Sequence, residues 1–454
     1  MSKFYWGNST SSMQTEGGWN EDGKSLSVYD IRKGDSTHSD WHFANDNYHN
    51  FIEDLDYMQD LGMNMYRFQI SWSRLVTDGD GNFNELGFQY YDKLIAALLE
   101  RNIEPMICLY HFDMPLKLAQ KYNGFSNKQV ADAFIRYGKA VIDRYADKVH
   151  YWITFNEQNL YSQPSTAFRI AGSLNGKHDI HELYQITHNV MYCHATLSNY
   201  LHATTSSKIG GMLAYSQVYP ATSNPKDSFL SHQWDEFINQ NLLEAFANGH
   251  YSSTVLGYIK AHNIDVEMTQ NELAEISKMS SDFLSFSYYS STVLSSEKIT
   301  TDIAPNYYLD YGAIKNPYLK ETEWHWQIDP LGFRDVLTKM YERYHLPVFP
   351  IENGIGVREK WDGTNEIQDD YRIEYHREHI KAMQAAISID AVDVIGYLGW
   401  GLIDILSSQG DMEKRYGVVY VNRDNQDLKD MQRVPKKSYH WLKQVILSNG
   451  EKLR

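Results

Sequence analysis

The amino-acid sequence predicts a (β/α)8 barrel (a TIM barrel) with elaborated loops at the carboxyl-terminal face of its strands. Short apolar runs alternate with longer helical patterns along the whole chain, which is typical of strand–helix units on a parallel sheet. Eight such runs occur, the number that closes this kind of barrel. No Pro/Ser-rich linker or low-complexity segment interrupts the alternation, so we expect one domain over residues 1–454.

The predicted strands are rich in β-branched and aromatic residues, which favour an extended chain. They cover residues 4–9, 65–70, 104–110, 150–155, 208–214, 283–288, 347–351 and 394–399. Between them, apolar residues recur at three- and four-residue spacing, which indicates helices. These stretches include residues 48–61, 90–101, 127–145, 181–203, 235–247 and 371–389. The Tyr- and Trp-rich stretch 290–328 has few helix signals, and we expect a long loop that contributes a binding wall.

The composition excludes several classes of protein. A formal net charge of −16 argues against binding to nucleic acid or an anionic membrane, because either needs clustered Lys and Arg. Cys108 and Cys193 match no zinc spacing and are too few for a disulfide framework, so we expect reduced core thiols. No signal-peptide pattern and no run of eighteen apolar residues occurs, which predicts a cytoplasmic protein. The sequence leaves open whether it forms homo-oligomers.

Two of the predicted strands end in a glutamate. The apolar run 348–351 is followed by Glu352 and a turn-forming Asn-Gly pair, and the run 149–155 is followed by Asn156 and Glu157. The carboxyl-terminal ends of barrel strands converge on one mouth, where catalytic groups lie. Two converging carboxylates are what cleavage of a glycosidic bond requires. Either glutamate alone could equally be a solvated loop residue or half of a salt bridge, so the hypothesis of a catalytic site depends on the pair.

Polar and aromatic residues follow the other predicted strands in an ordered set. Together these motifs resemble glycoside hydrolase family 1, the retaining β-glycosidases, over nearly the whole chain. Each motif alone is weak, whereas the ordered set is specific. The motifs are Gln14-Thr15-Glu16-Gly17, residues 66–72 (Tyr-Arg-Phe-Gln-Ile-Ser-Trp), residues 110–115 (Tyr-His-Phe-Asp-Met-Pro), Thr154-Phe155-Asn156-Glu157, Tyr288-Tyr289, Ile351-Glu352-Asn353-Gly354 and Trp400.

The resemblance implies roles for the two glutamates, with Glu352 as the nucleophile and Glu157 as the acid/base. Retention uses two carboxyl groups about 5 Å apart, one attacking the anomeric carbon and the other protonating the departing oxygen. The acid needs a raised pKa, and the nucleophile needs cationic and hydrogen-bonding neighbours. By the resemblance, Arg67 and Tyr288 attend the nucleophile. An arginine within an apolar strand is itself a sign of a nearby buried carboxylate, because unpaired it would be destabilising.

The resemblance also implies a set of sugar-binding residues. Gln14, His111 and Asn156 match positions that hydrogen-bond ring hydroxyls, with Asn156 on the 2-hydroxyl. Trp400 matches the aromatic platform beneath the sugar, and Trp326 resembles a tryptophan of the aglycone side. Taken alone, His111 is typical of a hydrogen-bonded core histidine. For Trp326, packing in the core fits the sequence nearly as well as a place on the aglycone side.

The sequence departs from the common family pattern after the eighth strand. Members that act on plain sugars carry a Glu-Trp pair for the 4- and 6-hydroxyls, and this chain has Ser407-Ser408. A glutamate there would repel a 6-phosphate, so the stretch resembles the branch that hydrolyses 6-phospho-β-glycosides. By that resemblance Ser407, Lys414 and Tyr416 hold the phosphate, with one cation and two hydroxyl donors. A local basic site of this kind is what an acidic protein needs to bind an anionic substrate.

The identity of Ser408 implies which sugar epimer is accepted. Galactose-specific members of that branch carry a tryptophan there, which packs toward the axial 4-hydroxyl, so a small residue favours 6-phospho-β-D-glucosides such as phosphorylated cellobiose or aryl β-glucosides. One alternative is a 6-phospho-β-galactosidase. Another is an inactive barrel that binds a phosphosugar, which loss of either glutamate would indicate; both are present. The natural aglycone is left open.

The sequence predicts neither a metal nor a cofactor. His376 and His379 have the spacing of a metal pair but lack further ligands, and the polar helix around them favours solvated side chains. No phosphate-binding P-loop and no glycine-rich dinucleotide motif follows a strand, so a nucleotide cofactor is not indicated.

Overall fold

Eight parallel strands form the centre of the protein, for which the computed structural model describes residues 3–454. The strands are β1 Tyr5–Ser9, β2 Met65–Gln69, β3 Glu104–Tyr110, β4 Tyr151–Phe155, β5 Lys208–Ala214, β6 Phe283–Tyr288, β7 Val348–Asn353 and β8 Gly396–Trp400. Their order in the sheet is β7-β6-β5-β4-β3-β2-β1-β8, and a parallel bridge between Val348 and Val394 joins the two edges. The predicted barrel is confirmed, with every strand end within two residues of its expected position.

The interior of the barrel is apolar below the strand ends. Successive side chains of a strand point to opposite faces, so alternate residues fill the interior. Both cysteines are buried free thiols, as predicted, and Cys108 belongs to this interior cluster. The cluster consists of Tyr5, Met65, Met106, Cys108, Tyr151, Ile153, Met212, Phe283, Phe349, Ile351 and Leu398. These side chains fill the lower part of the barrel and form a base below the carboxyl-terminal ends of its strands.

Helices surround the barrel, and the longer ones bury an apolar face toward it. In Lys128–Tyr145, the Asn127 side chain caps the first turn by accepting from the N–H of Gln129, and Phe134 and Val141 lie on the buried face. Within residues 3–454, no helix has the length and apolar character needed to cross a bilayer. The other helices of seven or more residues are Asn47–Asp60, Glu85–Glu100, Leu116–Tyr122, Pro164–Ile170, Ile180–Thr204, Pro225–Asp235, Asn241–Asn248, Ser253–Ala261, Gln270–Lys278, Pro330–Tyr344, Asp370–Ser388 and Lys437–Leu447.

Two segments differ in detail from the sequence prediction. The helix expected at 235–247 is longer, because Pro225–Asp235 continues through a π-helical turn at Glu236–Gln240. The predicted loop 290–328 contains a short strand, Ser291–Leu294, which pairs with Gln217–Pro220 and Ala313–Ile314. This pairing holds the loop beside the mouth of the barrel.

The prediction that His376 and His379 are solvated is wrong. Both are buried, because the helix Asp370–Ser388 packs the face that carries them against the barrel. The Nδ1 of His376 lies 2.8 Å from the Tyr397 hydroxyl, and that of His379 donates to the Tyr375 carbonyl at 2.7 Å. Burial lowers their pKa values to about 3 and about 4, so both are neutral. Over residues 3–454, no group of three or more His, Cys, Asp or Glu is arranged to hold a metal.

Candidate active site

A cavity of about 430 Å³ opens at the carboxyl-terminal ends of the strands. Its wall includes Ser290 and Leu309, so the loop 290–328 contributes to it. The cavity brings together most of the residues singled out from the sequence. Those lining it are Gln14, His111, Glu157, Trp326, Glu352, Trp400, Ser408 and Tyr416.

Glu352 lies near the end of β7, and a register irregularity turns it into this cavity. Ile351 packs inside the barrel, so in a regular strand the next side chain would point outward. The pairing of β7 with β6 shifts between Pro350 and Glu352, and such a bulge re-aims the side chains that follow. Glu352 therefore lines the cavity although it is only 3% exposed.

The guanidinium of Arg67, on β2, supplies the counter-charge of Glu352. Its Nη1 donates to Oε1 of Glu352 at 2.5 Å, and its Nη2 donates to Oδ1 of Asn156 at 2.6 Å. Burial raises the pKa of Glu352, while Arg67 and the hydroxyl of Tyr289 oppose that rise. The buried carboxylate that the sequence led us to expect beside Arg67 is thus Glu352.

The tyrosine beside Glu352 is Tyr289, so the prediction for Tyr288 is wrong. The Tyr289 hydroxyl donates to Oε2 of Glu352 at 2.9 Å, whereas that of Tyr288 donates to the backbone carbonyl of Asp329 at 2.9 Å. Phe283 points into the barrel, so every second residue after it points inward and Tyr288 points outward. This alternation was the sequence signal that would have identified Tyr289.

Glu157 follows β4 in a left-handed backbone conformation, with a φ of 46°. Residues other than glycine rarely adopt this conformation, and such strain is concentrated at functional sites. Its Oε1 accepts a hydrogen bond of 2.5 Å from the Oγ of Ser287, a residue that the sequence reasoning missed. Burial, with the nearby charge of Glu352, raises the pKa of Glu157 to about 8. Glu157 is therefore protonated at neutral pH.

Two buried polar atoms at the cavity have no hydrogen-bond partner in the part of the chain that the structure describes. Among residues 3–454, neither Nδ2 of Asn156 nor Nδ1 of His111 has a hydrogen-bond partner, although both are buried. Burial holds the pKa of His111 well below its usual value, so the ring is neutral. The Nε2 of Gln14 donates to the Leu406 carbonyl at 2.8 Å, which fixes its amide at the cavity wall. Buried polar groups are normally paired, so these atoms indicate a polar ligand.

The aromatic residues form two surfaces of the cavity. The Trp400 ring stacks on His111 with centroids 5.6 Å apart. The Trp326 ring lies 5.5 Å from that of Tyr289. Trp326 is thus a cavity residue and is not confined to core packing.

Lys414 is a buried cation beside this cavity. It is 6% exposed, and its Nζ lies 3.8 Å from the ring centroid of Trp326 and 4.7 Å from that of Trp324. Over residues 3–454, no carboxylate forms an ion pair with it; burial lowers its pKa to about 8, and the charge of Asp411 partly opposes that fall. Its stem can lie here because position 356 is a glycine, where a Cβ would come within 2.7 Å of the lysine Cγ and Cε.

The structure separates the four residues of the expected phosphate and epimer site. Tyr416 and Ser408 line the catalytic cavity, whereas Ser407 and Lys414 line an adjoining cavity of about 750 Å³. The Oγ of Ser407 accepts a 3.0 Å hydrogen bond from the Asp411 N–H within its own loop. The Nζ of Lys414 lies 5.5 Å from the Tyr416 ring centroid, so the two cavities meet at this contact.

Comparisons with known proteins agree with this geometry. The profile of Glycosyl hydrolase family 1 matches residues 1–451. The chain is 37% identical to the aryl-phospho-β-D-glucosidase BglH of Bacillus subtilis (strain 168), over 99% of this chain and 98% of that enzyme. It is 32% identical to a 6-phospho-β-galactosidase of Clostridium acetobutylicum, over 97% and 96% of the two chains. The solved family 1 β-glucosidase of Thermotoga maritima superposes with a TM-score of 0.87 at 28% identity, covering 99% of this chain and 98% of that one.

Proposed function

This chain belongs to glycosyl hydrolase family 1, and we propose that it hydrolyses 6-phospho-β-D-glucosides to glucose 6-phosphate and an aglycone, with retention of the anomeric configuration. The observation that carries the proposal is Lys414, a buried cation without a carboxylate partner among residues 3–454. A buried charge is unfavourable unless it is paired, so the site favours an anionic ligand. The substrate named for the Bacillus subtilis relative supports the same assignment.

In the proposed reaction, Glu352 attacks the anomeric carbon and Glu157 protonates the departing oxygen. Arg67 and Tyr289 stabilise the ionised form of Glu352, and the raised pKa of Glu157 supplies a proton at neutral pH. Water then hydrolyses the glycosyl-enzyme, with Glu157 acting as the base. The free Nδ2 of Asn156 is suited to the 2-hydroxyl, whose contact strengthens in the transition state.

We propose that the sugar binds in the cavity that contains both glutamates and that its 6-phosphate points toward the adjoining cavity. Gln14, His111 and Trp400 hold the sugar ring, and Trp326 lies on the aglycone side. The 6-phosphate is directed toward Lys414, with Ser407 and Tyr416 as hydroxyl donors. The small, exposed Ser408 leaves room near the 4-hydroxyl, which favours the gluco epimer over the galacto epimer.

We also propose a domain organisation, a compartment and the kinds of partner for this enzyme. We place the whole of residues 1–454 in one barrel domain that needs no metal or cofactor. The two buried free thiols suit a reducing compartment, so we propose the cytoplasm. The strongly negative charge gives no basis for a nucleic-acid or membrane partner.

A comparison of three substrates tests the proposal. We expect p-nitrophenyl 6-phospho-β-D-glucoside to have the highest kcat/KM, above its galacto epimer and above the plain β-D-glucoside. A preference for the galacto 6-phosphate would assign the alternative activity. If none of the three is hydrolysed while glucose 6-phosphate binds, the chain is a phosphosugar-binding barrel and the proposed reaction is refuted.

A further inference from the structure

Ser287 lies next to both Glu157 and Glu352. It lies on β6 on the inward face and is only 1% exposed. Its Oγ donates to Oε1 of Glu157 at 2.5 Å, and its register partner on β7 is Glu352. On the other side it is paired with Ala214 of β5, so its backbone is held by two strands. The hydroxyl is therefore presented to Glu157 by the rigid part of the barrel.

We propose that Ser287 is a positioning residue that selects which oxygen of Glu157 exchanges the catalytic proton. A carboxyl oxygen that already accepts a hydrogen bond from a fixed donor is the less favourable place for a proton. The bond from Ser287 to Oε1 thus keeps the proton on Oε2. This role rests on the proposed function, because it assigns a reactive atom to the acid/base of that reaction.

In the two steps of the reaction, Oε2 of Glu157 first donates the proton and then accepts one. In the first, the proton on Oε2 passes to the glycosidic oxygen, the bond from that oxygen to the anomeric carbon breaks with its electron pair, and Glu352 forms a bond to the carbon. In the second, Oε2 accepts a proton from water as the water oxygen bonds to the carbon, and Glu352 leaves with its electron pair. Oε1 keeps its bond to Ser287 throughout, so the carboxyl group need not rotate.

The same bond affects how readily Glu157 ionises. A donor to a carboxylate stabilises the charged form, so Ser287, together with Arg67 and Asn156, holds the pKa of Glu157 below the value that burial and the charge of Glu352 would produce. Removal of the hydroxyl should therefore raise that pKa further. The protonated acid would then persist to higher pH, and the ionised base would be scarcer at neutral pH.

Ser287→Ala tests this role, with Ser285→Ala as the matched control. Ser285 lies on the same strand and face, is fully buried, and donates to the Gly211 carbonyl at 2.9 Å. With plain p-nitrophenyl β-D-glucoside, whose binding does not depend on Lys414, we expect Ser287→Ala to move the alkaline limb of kcat/KM upward by roughly one to two pH units and to slow turnover. Ser287→Thr, which keeps a hydroxyl, should restore the limb.

A second measurement keeps this inference separate from the proposed function. The carboxyl carbon of Glu157 can be titrated by NMR, with its signal assigned by its absence in Glu157→Gln. Its pKa should be higher in Ser287→Ala than in the native protein, whatever the substrate is. An unmoved pKa, or an equal shift in Ser285→Ala, would overturn the role of Ser287. Lack of activity on every phosphoglucoside would refute only the proposed function.

Discussion

Lys414→Met is the substitution that tests the phosphate site most directly. Methionine keeps an unbranched stem beside the rings of Trp324 and Trp326 and removes the ammonium group, so packing changes little while the charge is lost. A hydrogen bond to a charged group contributes roughly 1.5–3 kcal/mol. We therefore expect kcat/KM for p-nitrophenyl 6-phospho-β-D-glucoside to fall by about ten- to a hundred-fold. Hydrolysis of the plain glucoside should change little.

Arg358→Gln is the matched control, because it removes the same formal charge from the same adjoining cavity. The side chain of Arg358 is 54% exposed and its Nη1 donates to Glu413 at 3.0 Å, so solvent and a carboxylate already screen it. We expect less than about a five-fold effect. Both variants are assayed on both substrates at one ionic strength, since salt screens charge effects.

The pH dependence of substrate binding follows from the charge of Lys414. Its pKa of about 8 means that the free enzyme carries the charge below pH 8 and loses it above. The KM for the phosphorylated substrate should therefore rise as the pH passes 8, and Lys414→Arg should remove that rise. If Lys414→Met leaves the preference for the 6-phosphate intact, or if Arg358→Gln lowers it equally, Lys414 does not hold the phosphate.

Three further predictions concern the catalytic cavity. Tyr289→Phe should raise the pKa of Glu352 and move the acid limb of kcat/KM to higher pH, whereas Tyr288→Phe should leave that limb in place; equal behaviour in pH–rate profiles would contradict the assignment. Glu352→Gly should abolish turnover, and azide should restore it on an activated substrate with an inverted azide product by NMR; full activity without azide would remove Glu352 from its role. Ser408→Trp should shift the ratio of galacto to gluco kcat/KM toward galacto by about one to two decades, and an unchanged ratio would exclude Ser408 as the selector.

Local patterns in the sequence are enough to predict the barrel and the two glutamates. Apolar periodicity distinguishes strands from helices, and parallel strands bring their carboxyl-terminal ends together whatever the details of packing. The ion pair of Arg67 could also be predicted, because a charged residue within an apolar strand implies a buried partner of opposite charge. The choice between Tyr288 and Tyr289 was available from strand alternation, which a motif match alone does not take into account.

Other features depend on contacts between segments that are distant in the chain. The bulge between Pro350 and Glu352 exists only in the pairing of β7 with β6, and it turns Glu352 inward. His376 and His379 are buried because their helix packs against the barrel, although its local sequence is polar. The family resemblance implied a phosphate near Lys414, but only the folded chain places its ammonium over the Trp326 ring and beside the adjoining cavity. Such positions are set by packing between elements, for which a linear sequence carries no local signal.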